Sequence, residues 1–289
     1  MATALKQQDF LRQLFERFGI PTSYLAHLRE LRQRLLRILY TLMFFYALFF
    51  LFRFDEVARW GALPIYAPSF SPFSPLASQL LGRMISDLIP ADVQLIQVAP
   101  AELVILYMQI SLTLAVACSM PMVLYQFGRF VMPALYPHER RELVRLIVPG
   151  LGLFAAGALF AYLFIVPPIM NFLFEYTREL AQGVNGPVVL VSVSVGEAIQ
   201  FALLIVLAFG FVFELPLVMN LLTRLGVVDS RTWWRYWRHA AVGFLIVGGI
   251  ITPDTSGVTQ LLVALPMMAL YFGGAGLATI SQRRRANKA

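Results

Sequence analysis

Six apolar runs, separated by segments that hold almost all of the charge, constrain the fold of this chain more than any other feature. A helix needs about 20 apolar residues to cross the hydrocarbon core of a bilayer, because each residue advances it by about 1.5 Å. Apolar residues make up 59% of the 289, and the mean hydropathy is +0.71. We therefore predict an all-α, polytopic membrane protein in which residues 1–289 form a single domain. The six predicted transmembrane helices cover residues 35–52, 103–127, 146–174, 198–222, 240–251 and 261–280.

The fifth and sixth predicted helices are short. The fifth has 12 residues, which cover about 18 Å of a hydrocarbon core about 30 Å thick. It reaches farther only if the aromatic-rich residues 233–237 extend it. We expect the bilayer to be thinned locally beside these two helices.

The basic residues follow a topological pattern. Of the 23 lysines and arginines, 19 lie before or just inside the first run, after the second, after the fourth and after the sixth. The other four lie in the remaining loops. Because positive residues accumulate in the cytoplasmic loops of membrane proteins, we expect both termini in the cytoplasm. The net charge of +7 follows from this topology and gives no reason to expect nucleic acid binding.

Motifs of common enzymatic chemistry are absent from the sequence. It has no GxxxxGK[ST] phosphate loop, no GxSxG nucleophile elbow and no HExxH zinc motif. The three histidines, His27, His138 and His239, lie in separate segments, and histidines spread in this way are more often solvated than metal-binding. We expect neither an enzyme nor a bound metal or other cofactor.

One acidic residue, Glu214, interrupts the fourth apolar run. It lies ten residues before Arg224, about 15 Å along a helix, which places its carboxyl group deep in the hydrocarbon. An acid there needs a protein partner or a water-filled recess, and such residues commonly have a functional role. Pro216 leaves a backbone carbonyl without its helical partner nearby. A protonated side chain that only bonds two helices together is the structural alternative.

The loop after the second run, residues 125–141, reads YQFGRFVMPALYPHERR. It contains aromatic residues, proline, a carboxylate and paired arginines, more than a simple helix connector requires. Glu139 in this loop lies beside two arginines, and Glu30, before the first run, is flanked by Arg29 and Arg32. Two such carboxylates are able to accept bidentate contacts from a cationic ligand. A solvated, self-neutralising charge cluster is the alternative, and periodicity does not decide between them.

Four motifs, in this order, resemble those of the TatC family, the polytopic subunit of the twin-arginine protein translocase. HLRELRQRLL resembles the family's N-terminal motif, and YQFGRFVMPALYPHERR resembles its first cytoplasmic loop. FGFVFELPLVM resembles its fourth span, and ITPDTSGVTQLLVALPMMALY its last outer turn and sixth helix. The resemblance runs from about His27 to Tyr271. In place of a lysine common in the family after the second-span APAE motif, this chain has Gln109.

The resemblance implies both a fold and a function. The fold is a concave, cup-like bundle in the inner (cytoplasmic) cell membrane. The function is binding of the twin-arginine signal peptides of folded precursors, and assembly of copies of the chain with TatA and TatB type single-span subunits into a translocon driven by the proton-motive force. The signal-peptide residues that the resemblance implies are Glu30, Glu139, Arg32, Phe130, Pro133, Tyr136 and Arg140. The residues it implies at a partner helix are Glu214, Gln260 and Asp254.

Two other functions stay open from the residues alone. In a proton-coupled transporter of small solutes, Glu214 would carry the proton, although the chain lacks the internal repeat usual in such carriers. A structural membrane scaffold without a ligand needs neither acidic group. Binding of a twin-arginine peptide, and its loss in Glu139→Ala, would separate the translocase function from both.

Overall fold

Long apolar helices dominate the fold, as the sequence predicts. The computed structural model describes residues 22–60, 63–71, 75–90, 93–131, 149–150, 152–182, 192–252 and 257–286. In these residues, five helices are long and apolar enough to cross a membrane: Arg29–Leu51, Glu102–Arg129, Gly152–Glu179, Val195–Arg224 and Val258–Arg284. A further apolar helix, Trp237–Ile251, is shorter. The prediction of an all-α, multi-pass membrane protein is confirmed.

The helices carry the labels α1 to α9 in chain order. The first three are α1, Thr22–Leu51, α2, Leu76–Leu88, and α3, Glu102–Val131. The next, α4, comprises helical residues 152–160, a π-helical turn at Ala161–Ile165 and the segment Val166–Gln182. The others are α5, Val195–Phe213, α6, Leu215–Arg224, α7, Ser230–Arg235, α8, Trp237–Ile251, and α9, Val258–Ala286.

Two small sheets lie between the helices. Strands β1, Phe52–Trp60, and β2, Leu63–Phe70, form an antiparallel hairpin, and β3, Gln94–Ile96, pairs in parallel with β4, Ser192–Ser194. The hairpin follows α1 without a connecting loop. Its end is also bonded to α1, since the Ser71 N–H donates to the Leu51 carbonyl at 3.0 Å. We call the end of the bundle that carries these strands and α2 the hairpin end. The opposite end, where Arg34, Arg129 and Arg224 lie, is the basic end.

Helix α2 closes the hairpin end with its apolar face. Leu81 and Leu88 of α2 are both 4% exposed, and they share one core with Ile110 of α3 and Ile199 of α5. This helix also has a polar tie to the bundle, since the Tyr162 hydroxyl in the π-helical turn donates to Asp87 Oδ2 at 2.7 Å. The outer surface of the core is therefore formed by α2 lying across the transmembrane helices.

The last two helices differ in length, which corrects one expectation. Helix α8 has 15 residues and is short, as predicted. Helix α9 has 29 residues and is not short, because glutamine and arginine are good helix formers and carry the helix past the end of the apolar run at residue 280. Helix α1 likewise begins at Thr22, well before the apolar run at residue 35. The predicted apolar runs overlap the helices of the structure, but several helices extend beyond the ends of those runs.

Candidate functional site

Glu214 lies at the break between α5 and α6. It ends the first helix and begins the second, and its N–H donates to the Phe211 carbonyl at 3.1 Å instead of continuing the α-helical pattern. Pro216, in the first turn of α6, has no N–H and so cannot continue that pattern either. The fourth apolar helix is therefore interrupted at Glu214.

The carboxyl group of Glu214 is buried and poorly satisfied. Glu214 is 5% exposed. The backbone amide of Phe154 faces it from α4, but neither carboxyl oxygen has a hydrogen-bond partner of good geometry within the described residues. Glycine at position 150 leaves the room that the carboxyl group occupies, since a Cβ there would lie 3.3 Å from Oε2. An unsatisfied buried acid of this kind costs stability, which is a reason to expect a use for it.

At the basic end, Glu30 already has an intramolecular partner. Its Oε1 atom accepts from Nη2 of Arg34, one turn later in α1. The Arg34 side chain is 11% exposed and that of Glu30 is 37% exposed. Arg32 is exposed on the same helix. The Glu30 carboxylate is thus positioned by Arg34 and still reachable from solvent.

The end of α3 supplies the other part of the basic end. Arg129 Nη1 donates to the Tyr125 hydroxyl at 3.1 Å, and Gln126 is 2% exposed. Phe130 lies in the last turn of α3. The remaining predicted signal-peptide residues, Pro133, Tyr136, Glu139 and Arg140, fall in residues 132–148, outside the described residues. The separation of Glu30 from Glu139 therefore stays a prediction.

Gln260 connects the last two helices near the hairpin end. Its Nε2 donates to the Leu245 carbonyl at 2.7 Å. Gly248 and Gly249 of α8 make room for it, because a Cβ at either position would lie 3.0 to 3.1 Å from atoms of Gln260. Asp254, the other residue predicted here, lies outside the described residues. The Gln260 amide is thus engaged within the chain, between α8 and α9.

Glu102 is a polar residue whose role the sequence did not reveal. It begins α3, and its carboxylate accepts hydrogen bonds from the Val98 N–H at 2.7 Å, the Gly196 N–H at 2.6 Å and the Ser194 hydroxyl. Ser194 and Gly196 lie at the start of α5, more than 90 residues away. An acidic residue in the first turn of an apolar run is a local signal of a helix start, but the distant partners left no sign in the sequence.

Gln109 lies in a groove between α1 and α3. The groove has a volume of about 410 Å³ and is otherwise lined by apolar and aromatic side chains such as Met43, Tyr46 and Met108. The Gln109 Oε1 atom is buried without a hydrogen-bond partner. The position at which the family resemblance led us to look for a lysine therefore belongs to the contact between the first two long helices.

Comparison with known proteins agrees with the fold. The family model of TatC, described as Sec-independent protein translocase protein, matches residues 26–266. A Sec-independent protein translocase protein TatC from Cenarchaeum symbiosum is 35% identical over 258 residues, which are 89% of this chain and 95% of that protein. The TatC protein of Aquifex aeolicus is 35% identical over 67% of this chain and 78% of its own length. A crystal structure of a twin arginine translocase receptor, TatC, superposes with a TM-score of 0.69 at 31% identity, covering 88% of this chain and 99% of that one.

The helix bundle, with its buried intramembrane acid, defines a multi-pass membrane protein. Both the matched length and the shared fold then specify the family: the chain belongs to the TatC family. It is a subunit of the Sec-independent translocase, and it is not an enzyme.

Proposed function

We propose that this protein is the receptor and scaffold subunit of the twin-arginine translocase. Its basic end lies in the cytoplasm of a cell whose inner membrane it spans, and both termini are on that side. There it binds the twin-arginine signal peptides of folded precursors. It then assembles copies of itself with TatA and TatB type single-span subunits for export driven by the proton-motive force.

The observation that carries this proposal is the accessible acid at the basic end. The second half of α1 packs beside the first half of α3, so the first residues of α1 and the last residues of α3 lie at the same end. Glu30 therefore lies at the end of the bundle from which residues 132–148 emerge, and these include Glu139. A peptide with two adjacent arginines needs carboxylate acceptors on a surface that it can reach. The solved relative is itself described as a twin arginine translocase receptor, which supports the same function.

A role for Glu214 follows from its burial without a partner. A polar side chain on the single helix of a partner subunit would supply the hydrogen bond that the carboxyl group lacks. The break at Glu214 gives α6 a means to adjust to such a helix while α5 stays packed in the core. No observation favours the alternative of a small-solute transporter over this one.

Peptide binding to the purified full-length protein tests the proposal. We expect a fluorescent twin-arginine signal peptide to bind, and Glu139→Ala and Glu30→Ala each to weaken binding at least about tenfold, since a charge-assisted bidentate pair contributes on the order of 1.5–3 kcal/mol. Replacing both arginines of the peptide by lysine should also weaken binding, because lysine cannot make the bidentate contact.

The matched control is Glu175→Ala, which removes an exposed acid on α4 that pairs with Arg178 towards the hairpin end. It should bind the peptide like the wild type. Equal binding by Glu139→Ala and the wild type would show that the acids at the basic end are not the receptor site. Transport of a small solute without any peptide binding would favour the carrier function instead.

A further inference from the structure

Helices α7 and α8 together run antiparallel to α9. The depth of each of their residues in the membrane can therefore be inferred from the α9 residue beside it. Near the hairpin end Gln260 donates to the Leu245 carbonyl at 2.7 Å. At the basic end the Ser230 N–H donates to Gln282 Oε1 at 2.9 Å. Between them, Trp234 Nε1 donates to the Thr279 hydroxyl at 3.1 Å.

Three arginines of this segment descend from the basic end towards the membrane interior. Arg231 follows Ser230 and lies level with Gln282. Arg238 follows Trp237, whose ring lies 6.0 Å from the ring of Phe272. Ten residues separate Phe272 from Gln282, which is about 15 Å along a helix. Arg238 therefore lies beside the apolar part of α9, well inside the level of Arg283. We call Arg231, Arg235 and Arg238 the arginine step.

Within the described part of the chain, little negative charge lies beside the arginine step. All three side chains are exposed, and none has an ion pair with a carboxylate in the described part of the chain. Residues 215–289 contain two acids, Asp229 and Asp254, and Asp254 lies outside the described residues. Asp229 accepts the Arg231 N–H at 3.0 Å, and this bond holds the pKa of its carboxyl group below its usual value. One ionised acid thus faces three arginines.

The neighbouring side chains are those of a membrane interface. Trp234 and Trp237 are exposed and pack on Phe272, and the guanidinium carbon of Arg238 lies 5.7 Å from the centre of the Trp237 ring. Tryptophan accumulates at the level of the lipid headgroups. Helix α8 has 15 residues and extends about 22 Å, so we expect the bilayer to be thinner beside it than beside the longer α9.

We propose that the arginine step binds the phosphate groups of anionic phospholipids. Exposed guanidinium groups at this depth are costly next to hydrocarbon, and a headgroup phosphate that moves inwards supplies bidentate acceptors for them. The tryptophan rings contact the adjacent glycerol and acyl region. The occupant is thus a lipid of the same leaflet as the basic end, held where the bilayer is thin. This inference rests on the membrane fold and does not depend on the signal-peptide proposal.

Lipid retention by the full-length protein tests the inference. The protein is reconstituted in mixed phosphatidylcholine and phosphatidylglycerol, extracted in mild detergent at low salt, and the retained lipids are counted by native mass spectrometry. We expect enrichment of phosphatidylglycerol in the wild type. Each arginine near an anionic surface changes the equilibrium about fivefold, so the triple variant Arg231→Gln/Arg235→Gln/Arg238→Gln should lower the enrichment on the order of a hundredfold.

Two variants serve as controls for charge and position. The triple exchange to lysine keeps the positive charge and should retain most of the enrichment. Arg83→Gln removes an exposed arginine from α2 at the hairpin end and should change nothing. Because the three arginines are exposed, the glutamine variant should elute and unfold like the wild type, and its binding of the twin-arginine peptide is measured separately to keep the two proposals distinct.

Three results would overturn the inference. Equal enrichment in the wild type and the triple glutamine variant would show that the arginine step does not hold lipid. Complete displacement of phosphatidylglycerol by inorganic phosphate would reduce it to a site for any small anion. Displacement by a polyglutamate peptide at lower concentration than by added phosphatidylglycerol would assign the surface to an acidic protein segment.

Discussion

Glu102 at the start of α3 accepts the backbone N–H of Gly196 at the start of α5, at 2.6 Å. The same Oε1 atom accepts the Ser194 hydroxyl, while Oε2 accepts the Val98 N–H. One carboxylate therefore caps its own helix and fixes the first turn of another. Next to it, β3 and β4 pair over three residues each. This group of bonds connects α3 to α5 at the hairpin end, whereas the fourth helix is interrupted at Glu214.

The exchange Glu102→Gln should lower the unfolding temperature of the protein in detergent. The side-chain amide keeps one acceptor oxygen but turns an NH₂ group towards two of the donors that the carboxylate now satisfies. Glu197→Gln, an exposed acid in the first turn of α5, is the matched control and should leave the temperature unchanged. Equal unfolding temperatures for Glu102→Gln and the wild type would mean that these bonds add nothing to stability.

Gly196→Ala should destabilise the protein through a steric conflict with Glu102. The added Cβ would lie 2.5 Å from Glu102 Oε1, and overpacking of this kind typically costs about 1–3 kcal/mol. In the background of Glu102→Ala the conflicting atoms are gone, so the same glycine exchange should cost much less. A double-mutant cycle on the unfolding temperatures measures this coupling, and additive effects would contradict it.

Glu214→Leu should stabilise the protein and abolish export. Replacing a buried acid that lacks a good partner with an apolar side chain removes a desolvation cost of about 1–3 kcal/mol. The proposed function, in contrast, requires the polar group. Glu179→Leu, an exposed acid at the end of the third transmembrane segment, should produce no stabilisation and full export. Thermal unfolding and an export assay of both variants provide the measurement. Full export by Glu214→Leu would assign Glu214 to packing alone.

Two glycines of the same helix should respond to alanine with opposite signs. At Gly248 a Cβ would lie 3.0 Å from the backbone oxygen of Gln260, whereas at Gly243 it would meet nothing within 4 Å. Gly248→Ala should therefore push α8 away from α9 and destabilise the protein by about 1–3 kcal/mol. Gly243→Ala should stabilise α8 by up to about 1 kcal/mol, because alanine favours the helix. Equal destabilisation by Gly248→Ala and Gly243→Ala would show that α8 and α9 are not tightly packed at Gly248.

The sequence predicted what depends on composition over a helix length. The apolar runs identified the long helices, and the single acid in the fourth run was recognised as a buried polar site, because an acid in hydrocarbon has few structural solutions. The β1–β2 hairpin was missed. Pro64 and Pro68 argue against a strand in residues 63–70, yet in a two-stranded hairpin every strand is an edge strand, where a missing N–H can face solvent.

Polar contacts between residues far apart in the chain could not be predicted from the sequence. Ser194 donates to Glu102 across 92 residues, and no periodicity connects the two. Gln260 was predicted to face a partner helix, and its bond to Leu245 lies within the chain. Glu139 and Asp254 stay predictions, since they lie outside the described residues. The resemblance to the TatC family adds the expected ligand, a twin-arginine signal peptide, which the geometry of the described residues does not specify.

The way α2 lies over the hairpin end also bears on how the membrane keeps its ion gradients. Leu81 and Leu88, together with Ile110 and Ile199, form an apolar layer near the hairpin end of the helices. An ion would have to leave its hydration shell to cross such a layer, which is highly unfavourable. Within the described residues, this layer therefore opposes the passage of ions through one copy of the chain. The export function proposed above then requires an opening outside this layer.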